Sequence, residues 1–149
     1  MRTVIGVALI VVLLTLSALH LYWGLGGRWP GHDAASLREM VVGTRGSRMY
    51  EFGPSAMVAV ALAAAALIVL WGQSPLAGGL HVWIVYGGYA VLILVFGLRG
   101  LATYLTPIFD YARGTAFFDL NRQIYSPLCL AIALGLIVTY PPGLGNMAR

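Results

Sequence analysis

The sequence predicts an all-α protein, a membrane-embedded four-helix bundle with short interfacial helices in its first and third loops. Three observations carry that expectation. Of 149 residues, 60% are hydrophobic and only 9% are charged, against about 25% charged in an average soluble domain. The mean hydropathy is +0.85, so lipid suits most of the surface better than water does. The apolar residues also gather into runs long enough to cross a hydrocarbon core, which takes a helix of about 20 residues. The length suits a single transmembrane domain over residues 1–149.

The first span is expected from Val4 to Leu25. Arg2 in front of it gives it the look of a cleaved leader, but the run exceeds the apolar core of about 7–15 residues that a leader has. Tyr22 and Trp23, followed by Gly24, Gly26 and Gly27, read as an interfacial aromatic anchor rather than a cleavage site. The helix is therefore expected to be kept. Pro54 to Gly72 and Leu80 to Tyr104 supply the second and third spans. The fourth, over about 120–140, is less regular, since the apolar run from Pro127 to Tyr140 covers only about 21 Å. It is expected to begin near Leu120. Either Pro127 bends it, or Ser126 caps a new helix with Pro127 in its first turn, and the residues leave both open.

Between the spans, Ser36, Leu37, Arg38 and Glu39 spell a capping box for a short interfacial helix that Gly43 would stop. Thr106 and Pro107 end the third span, and Phe109, Tyr111, Phe117 and Phe118 beside Asp110, Arg113 and Asp119 predict a segment lying along the membrane surface. Ala59, Ala63 and Ala66, the pair Ala131 and Gly135, and Gly87 with Gly88 are small residues at spacings that let helix backbones approach.

Charge placement adds an orientation. With four spans, both termini and the loop 73–79 share one end, while the loops 26–53 and 105–123 share the other. Arg28, Arg38, Arg45, Arg48, Arg113 and Arg122 lie at that second end, with Arg99 at its border, and only Arg2 and Arg149 at the first. The positive-inside rule puts the charged end in the cytoplasm and both termini outside, although Arg2 and the free amine pull the other way. All nine basic residues are arginine, so a catalytic lysine is excluded. The pI near 9.6 arises from arginines flanking apolar spans, which argues against nucleic acid as a partner. One cysteine, Cys129, excludes an internal disulfide or a CxxC redox pair.

The chemistry-bearing minority is small. His20, Trp23, Gly24 and Gly27 share one face of the first helix. His20 lies roughly 24 Å along its span and Arg99 roughly 28 Å along the antiparallel third, so both reach similar depth at the charged end. Glu51, Asp110, Asp119 and Asn121 approach the same end. An ionisable residue inside a span is costly and marks a candidate site: His20 would move a proton or hold a head group, Arg99 would bind an anion, and Glu51 or Asp119 would tune the histidine. The plainer alternative has Arg99 paired with Asp110 or Asp119 and His20 bonded to a backbone carbonyl. His20 and His81 are separated by more than roughly 20 Å of helix rise, so they cannot share one haem iron. His32 with His20, Asp33 or Glu51 lacks any metal-binding spacing, so neither a metal nor another cofactor is expected. No nucleophile elbow, phosphate loop or dinucleotide fingerprint occurs, no catalytic residue is assigned, and four helices without an inverted repeat argue against transport.

The blocks His20-Leu21-Tyr22-Trp23-Gly24-Leu25-Gly26-Gly27, Leu98-Arg99 and Tyr125-Ser126-Pro127-Leu128-Cys129-Leu130 resemble those of a family of small bacterial four-helix membrane proteins of unknown function, over almost the whole chain. That family's pattern often has an acidic residue four places before the tyrosine, where this chain has Asn121. The resemblance implies a bacterial inner-membrane tetraspan and no established activity. A looser similarity in layout to four-helix sterol-isomerase and sigma-receptor-like proteins implies a hydrophobic-ligand pocket, by analogy of fold alone. With Tyr125 from the third block, the candidate ligand-binding set is His20, Trp23, Glu51, Arg99, Asp119 and Tyr125. The expectation is a noncatalytic membrane protein that binds lipid or another amphiphile, or an accessory subunit of a membrane complex. Its expected partners are membrane lipid, other membrane subunits or a second copy. The alternative is a membrane enzyme acting on an apolar substrate, with His20 as general acid or base and Arg99 as anion holder.

Overall fold

The structure, a computed structural model, describes residues 1–45, 52–74 and 81–141. Those residues are all-helical, without a strand: α1 (Arg2–Gly24), α2 (Ala34–Val41), α3 (Phe52–Gly72), α4 (His81–Leu105), a 3₁₀ turn (Pro107–Ala112), α5 (Ala116–Leu120), a π-turn (Asn121–Tyr125) and α6 (Ser126–Thr139). Residues Ala116–Thr139 run on as one long element, so four helices are long and apolar enough to cross a membrane. Only 17–28% of the most apolar stretch of each is buried inside the bundle. Val4, Val7, Val11 and Leu14 on α1, and Val91, Leu94, Val95 and Leu98 on α4, face outward, which suits hydrocarbon and would be costly in water.

The bundle closes in the order α1, α3, α4, α6, with α1 packed most extensively on α3, α4 on α6, and α1 and α4 on opposite diagonal corners. Its core takes Leu9 and Leu13 from α1, Ala65, Ala66 and Val69 from α3, Val85 and Tyr89 from α4, and Ile132 and Leu136 from α6. Ser17 donates across to the Ala59 carbonyl at 2.7 Å, tying α1 to α3 where Ala59 leaves room. Gly88 meets Ile68 and Gly135 meets Leu9, whereas a Cβ on Gly87 would touch nothing within 4 Å, and Ala131 is exposed. Half of each expected small-residue pair is therefore an approach point. At the termini's end Arg2 donates to the Thr139 carbonyl at 3.2 Å and also to that of Tyr140. A residue that reads in the sequence as an orientation charge caps the C-terminus of α6, where a cation favours the helix dipole.

Two local expectations change. The N-cap of α2 is Asp33, not Ser36: Asp33 Oδ1 accepts from the Ser36 backbone N–H at 2.7 Å, and Ser36 Oγ accepts from the Asp33 N–H at 3.0 Å. Aspartate is as good a cap as serine, and starting three residues earlier adds nearly a turn of helix. Gly43, at φ 79°, then ends the helix as its conformational freedom allows.

At Pro127 the chain does not start afresh from a capped, non-helical residue. Tyr125 and Ser126 both have helical dihedrals, and the Ser126 N–H reaches back five residues to the Asn121 carbonyl. In that register the next N–H would serve the Arg122 carbonyl, but residue 127 is proline and has none. The Tyr104 hydroxyl, on α4, donates to the Arg122 carbonyl instead, at 2.6 Å. The π-turn thus lets one continuous helix absorb the missing donor.

Candidate functional site

The two charged loops meet at one end of the bundle. α2 packs against α5, and three hydrogen bonds strap the loops together: Tyr125 Oη to the Met40 carbonyl at 3.2 Å, Tyr111 Oη to the Val42 carbonyl at 2.8 Å, and Arg45 to the Gly114 carbonyl at 3.4 Å. Phe117, buried, stacks between Phe109 and Tyr125 with ring centroids 5.9 and 6.0 Å away. Glu51 lies outside the described residues, and so do Arg48 and Arg149.

His20 sits on α1 about 6 Å of helix rise before its end. Its Nδ1 lies 2.8 Å from the Leu16 carbonyl. A carbonyl only accepts, so Nδ1 carries the proton, and in the neutral ring Nε2 is left as an acceptor. Trp23 stands edge-on to the imidazole at 5.1 Å, held by its indole N–H on the Trp29 carbonyl at 2.8 Å. The pair borders a small cleft of about 190 Å³ completed by Val41, Pro54, Ser55 and Val58, close to where Gly24 lets α1 approach Ser55 and Phe52.

Arg99 belongs to a different corner. Its Nη2 donates to Asn121 Oδ1 at 2.8 Å, and its guanidinium lies 4.6 Å from the centre of the Phe109 ring. Its Nη1 is buried and has no hydrogen-bond partner among the described residues. Asn121, itself buried, donates from Nδ2 to Thr103 Oγ1 at 2.9 Å, and Thr103 and Ser126 share a hydroxyl contact at 2.6 Å. Ser126 Oγ also lies 3.4 Å from Asn121 Oδ1. The network is neutral apart from the arginine. Among the described residues Arg99 forms no ion pair; the ion pair there is Arg113 with Asp110, at 2.9 Å on the surface.

Asn121 and Phe109, which touch Arg99, also line a cleft of about 300 Å³ whose other walls include Thr103, Tyr104, Thr106, Asp110, Arg113, Phe118 and Arg122. Arg113 lies over the Phe118 ring, and Arg122 lies 5.9 Å from the centres of both Tyr104 and Phe118. The ring contacts keep both guanidiniums beside the cleft; Arg113 Nη2 is engaged by Asp110, while Arg122 makes no side-chain hydrogen bond among the described residues.

The sequence set is thus divided. His20 and Trp23 share one cleft on the α1–α3 side, and Arg99 occupies the α4–α6 side. Tyr125 straps the loops, and Asp119 is exposed and bonded to neither His20 nor Arg99. Arg99 pairs with the Asn121 amide rather than with Asp110 or Asp119, because Asn121 is the polar residue that the π-turn aims at α4. Thr103, Ser126 and Arg122 lie outside the candidate ligand-binding set read from the sequence. Thr103 follows Arg99 by one helical turn and was open to that reading, whereas Asn121 and Ser126 are five apart and share a face only in a π-turn.

No curated protein and no solved structure matches the chain. The family described as "Protein of unknown function (DUF3995)" matches residues 13–136, which include His20, Arg99 and the whole Thr103–Asn121–Ser126 network, and the chain belongs to that family.

Proposed function

We propose that the protein is a noncatalytic, multi-pass membrane protein that holds the polar end of a lipid or another amphiphile at its charged end, with Arg99 as the anchoring group. The carrying observation is the Arg99 guanidinium: among the described residues one nitrogen is buried without a partner, and the acceptor it bonds is a neutral amide. A charge in a helix bundle is costly unless something compensates it, and an amphiphile head group entering the adjoining cleft would supply the missing acceptor. Its chains would lie on the apolar outer face of α4, where Leu98, Leu101 and Leu105 are exposed. The alternative, an enzyme using His20 and Arg99 on one substrate, has less support, since the two residues stand on diagonal helices beside different clefts. The excess of arginine at the charged end favours a cytoplasmic placement of that end in a bacterial inner membrane.

Native mass spectrometry after mild extraction tests the reading. Wild-type protein should retain an amphiphile adduct, and Arg99→Gln, still folded, should lose it. A wild-type protein free of any adduct, in every mild detergent, would remove the proposal.

A further inference from the structure

Around the Arg99 cleft the cations outnumber the anions. Arg99 stands behind its wall and Arg113 and Arg122 line it, against one lining carboxylate, Asp110, already bonded to Arg113. Arg122 makes no side-chain hydrogen bond among the described residues; its contacts are with the faces of Tyr104 and Phe118. The three guanidiniums come from three elements: α4, the turn before α5, and the π-turn. A planar carboxylate is matched by one guanidinium in the bidentate mode and leaves the others unserved. A tetrahedral phosphate presents several oxygens in different directions and carries more charge, so it answers a cleft with more than one uncompensated guanidinium. The cleft's volume, about 300 Å³, admits a head group and not acyl chains.

We infer that this cleft is a phosphate-oxyanion site, and that the group it takes is the phosphate of an anionic membrane lipid or a free phosphate of the same chemistry. The inference rests on the amphiphile reading above and narrows its head group. Arg122 and Arg113 meet the phosphate from the cleft walls, and Arg99, bonded to Asn121 and packed on Phe109 behind that wall, adds its positive charge from deeper in the bundle. Asn121 keeps the position beside Arg99 neutral: a carboxylate in its place would stand beside Arg99 Nη2 and act as a resident counter-ion.

The test is a lipid titration of the full chain in micelles, read by native mass spectrometry. The probes are phosphatidic acid and diacylglycerol with identical chains, and inorganic phosphate as competitor. Phosphatidic acid should be retained at least about tenfold better than diacylglycerol, and Arg122→Gln and Asn121→Asp should each reduce that preference by about tenfold. Asn121→Asp should unfold no earlier than wild type, which separates loss of the site from loss of the fold. Displacement by millimolar inorganic phosphate would identify free phosphate as a competent source, and its absence would assign the site to lipid. Equal retention of both lipids, unaffected by both variants, would overturn the phosphate inference while leaving the amphiphile reading standing. Retention of neither lipid by the wild type would remove both.

Discussion

Arg99→Gln distinguishes a binding arginine from a structural strut. The substitution removes the Nη2 bond to Asn121 Oδ1 at 2.8 Å, worth about 1.5–3 kcal/mol for a charged donor. It also removes the contact with the Phe109 ring at 4.6 Å, worth about 0.5–2 kcal/mol. Against these losses it relieves the partial burial of a charge and the unpartnered Nη1, a cost of about 1–3 kcal/mol or more. Asn121 Oδ1 keeps the Ser126 hydroxyl at 3.4 Å. At their midpoints the opposing terms leave the lipid-free variant about 1.5 kcal/mol less stable than wild type. A member of a buried ion pair would instead cost about 3–5 kcal/mol when removed. The assay is denaturant unfolding in lipid-free micelles followed by tryptophan fluorescence, repeated with phosphatidic acid. A ligand at a hundred times its dissociation constant stabilises the folded state by about 2.7 kcal/mol, so wild type should gain on lipid addition and the variant should not. A lipid-free loss above about 3 kcal/mol, with the same gain from lipid in both proteins, would refute the reasoning.

Tyr104→Phe removes the donor to the Arg122 carbonyl and should cost about 0.5–1.5 kcal/mol in the same unfolding assay; no change would mean that carbonyl needs no partner. Gly100→Ala would put a Cβ 2.7 Å from Leu130 Cγ and 3.1 Å from the Ser126 carbonyl and should destabilise by about 1–3 kcal/mol. Gly87→Ala meets nothing within 4 Å and should be neutral or stabilise by up to about 1 kcal/mol; equal effects would contradict the assigned α4–α6 approach. The Ser36 backbone N–H and hydroxyl hold the Asp33 carboxyl below its ordinary value. The charged cap's contribution is therefore full above an unfolded-state value of about 3.9 and is lost as pH falls through the lower folded value. Hydrogen exchange at the Ser36 amide should quicken, relative to intrinsic rates, below about pH 4 in wild type, and Asp33→Ala should abolish that pH dependence.

The four long helices were legible because hydropathy is a property of runs, and a run of about 20 apolar residues has few other fates. The location of charge at one end followed from counting spans. The corner each helix occupies did not, since α1 can take α3, α4 or α6 as its diagonal partner without any change in its own apolar pattern. His20 and Arg99 are at similar depth by helix rise, yet depth says nothing about azimuth. The α2 cap was misplaced for a local reason: Asp33 and Ser36 are both good caps, and only the extended Asp33 backbone selects between them. The Arg99 network was hidden because its geometry rests on a turn with an unusual number of residues, which a template of spacings three and four passes over.

That turn also fixes the angular phase of the chain ahead of it. One residue corresponds to about 100° of helix rotation, so in an uninterrupted α register the side chain one turn before Ser126 would be Arg122, not Asn121. Two guanidiniums would then face each other across α4 and α6, and the cleft would lose one of the two arginines that line it. A single-residue deletion within 122–125 would instead put Asn121 four places before Ser126, so a plain α-helix would keep the amide opposite Arg99. The extra residue is what the π-turn absorbs, and the cation is exchanged for the amide only when the full-length segment takes the α register.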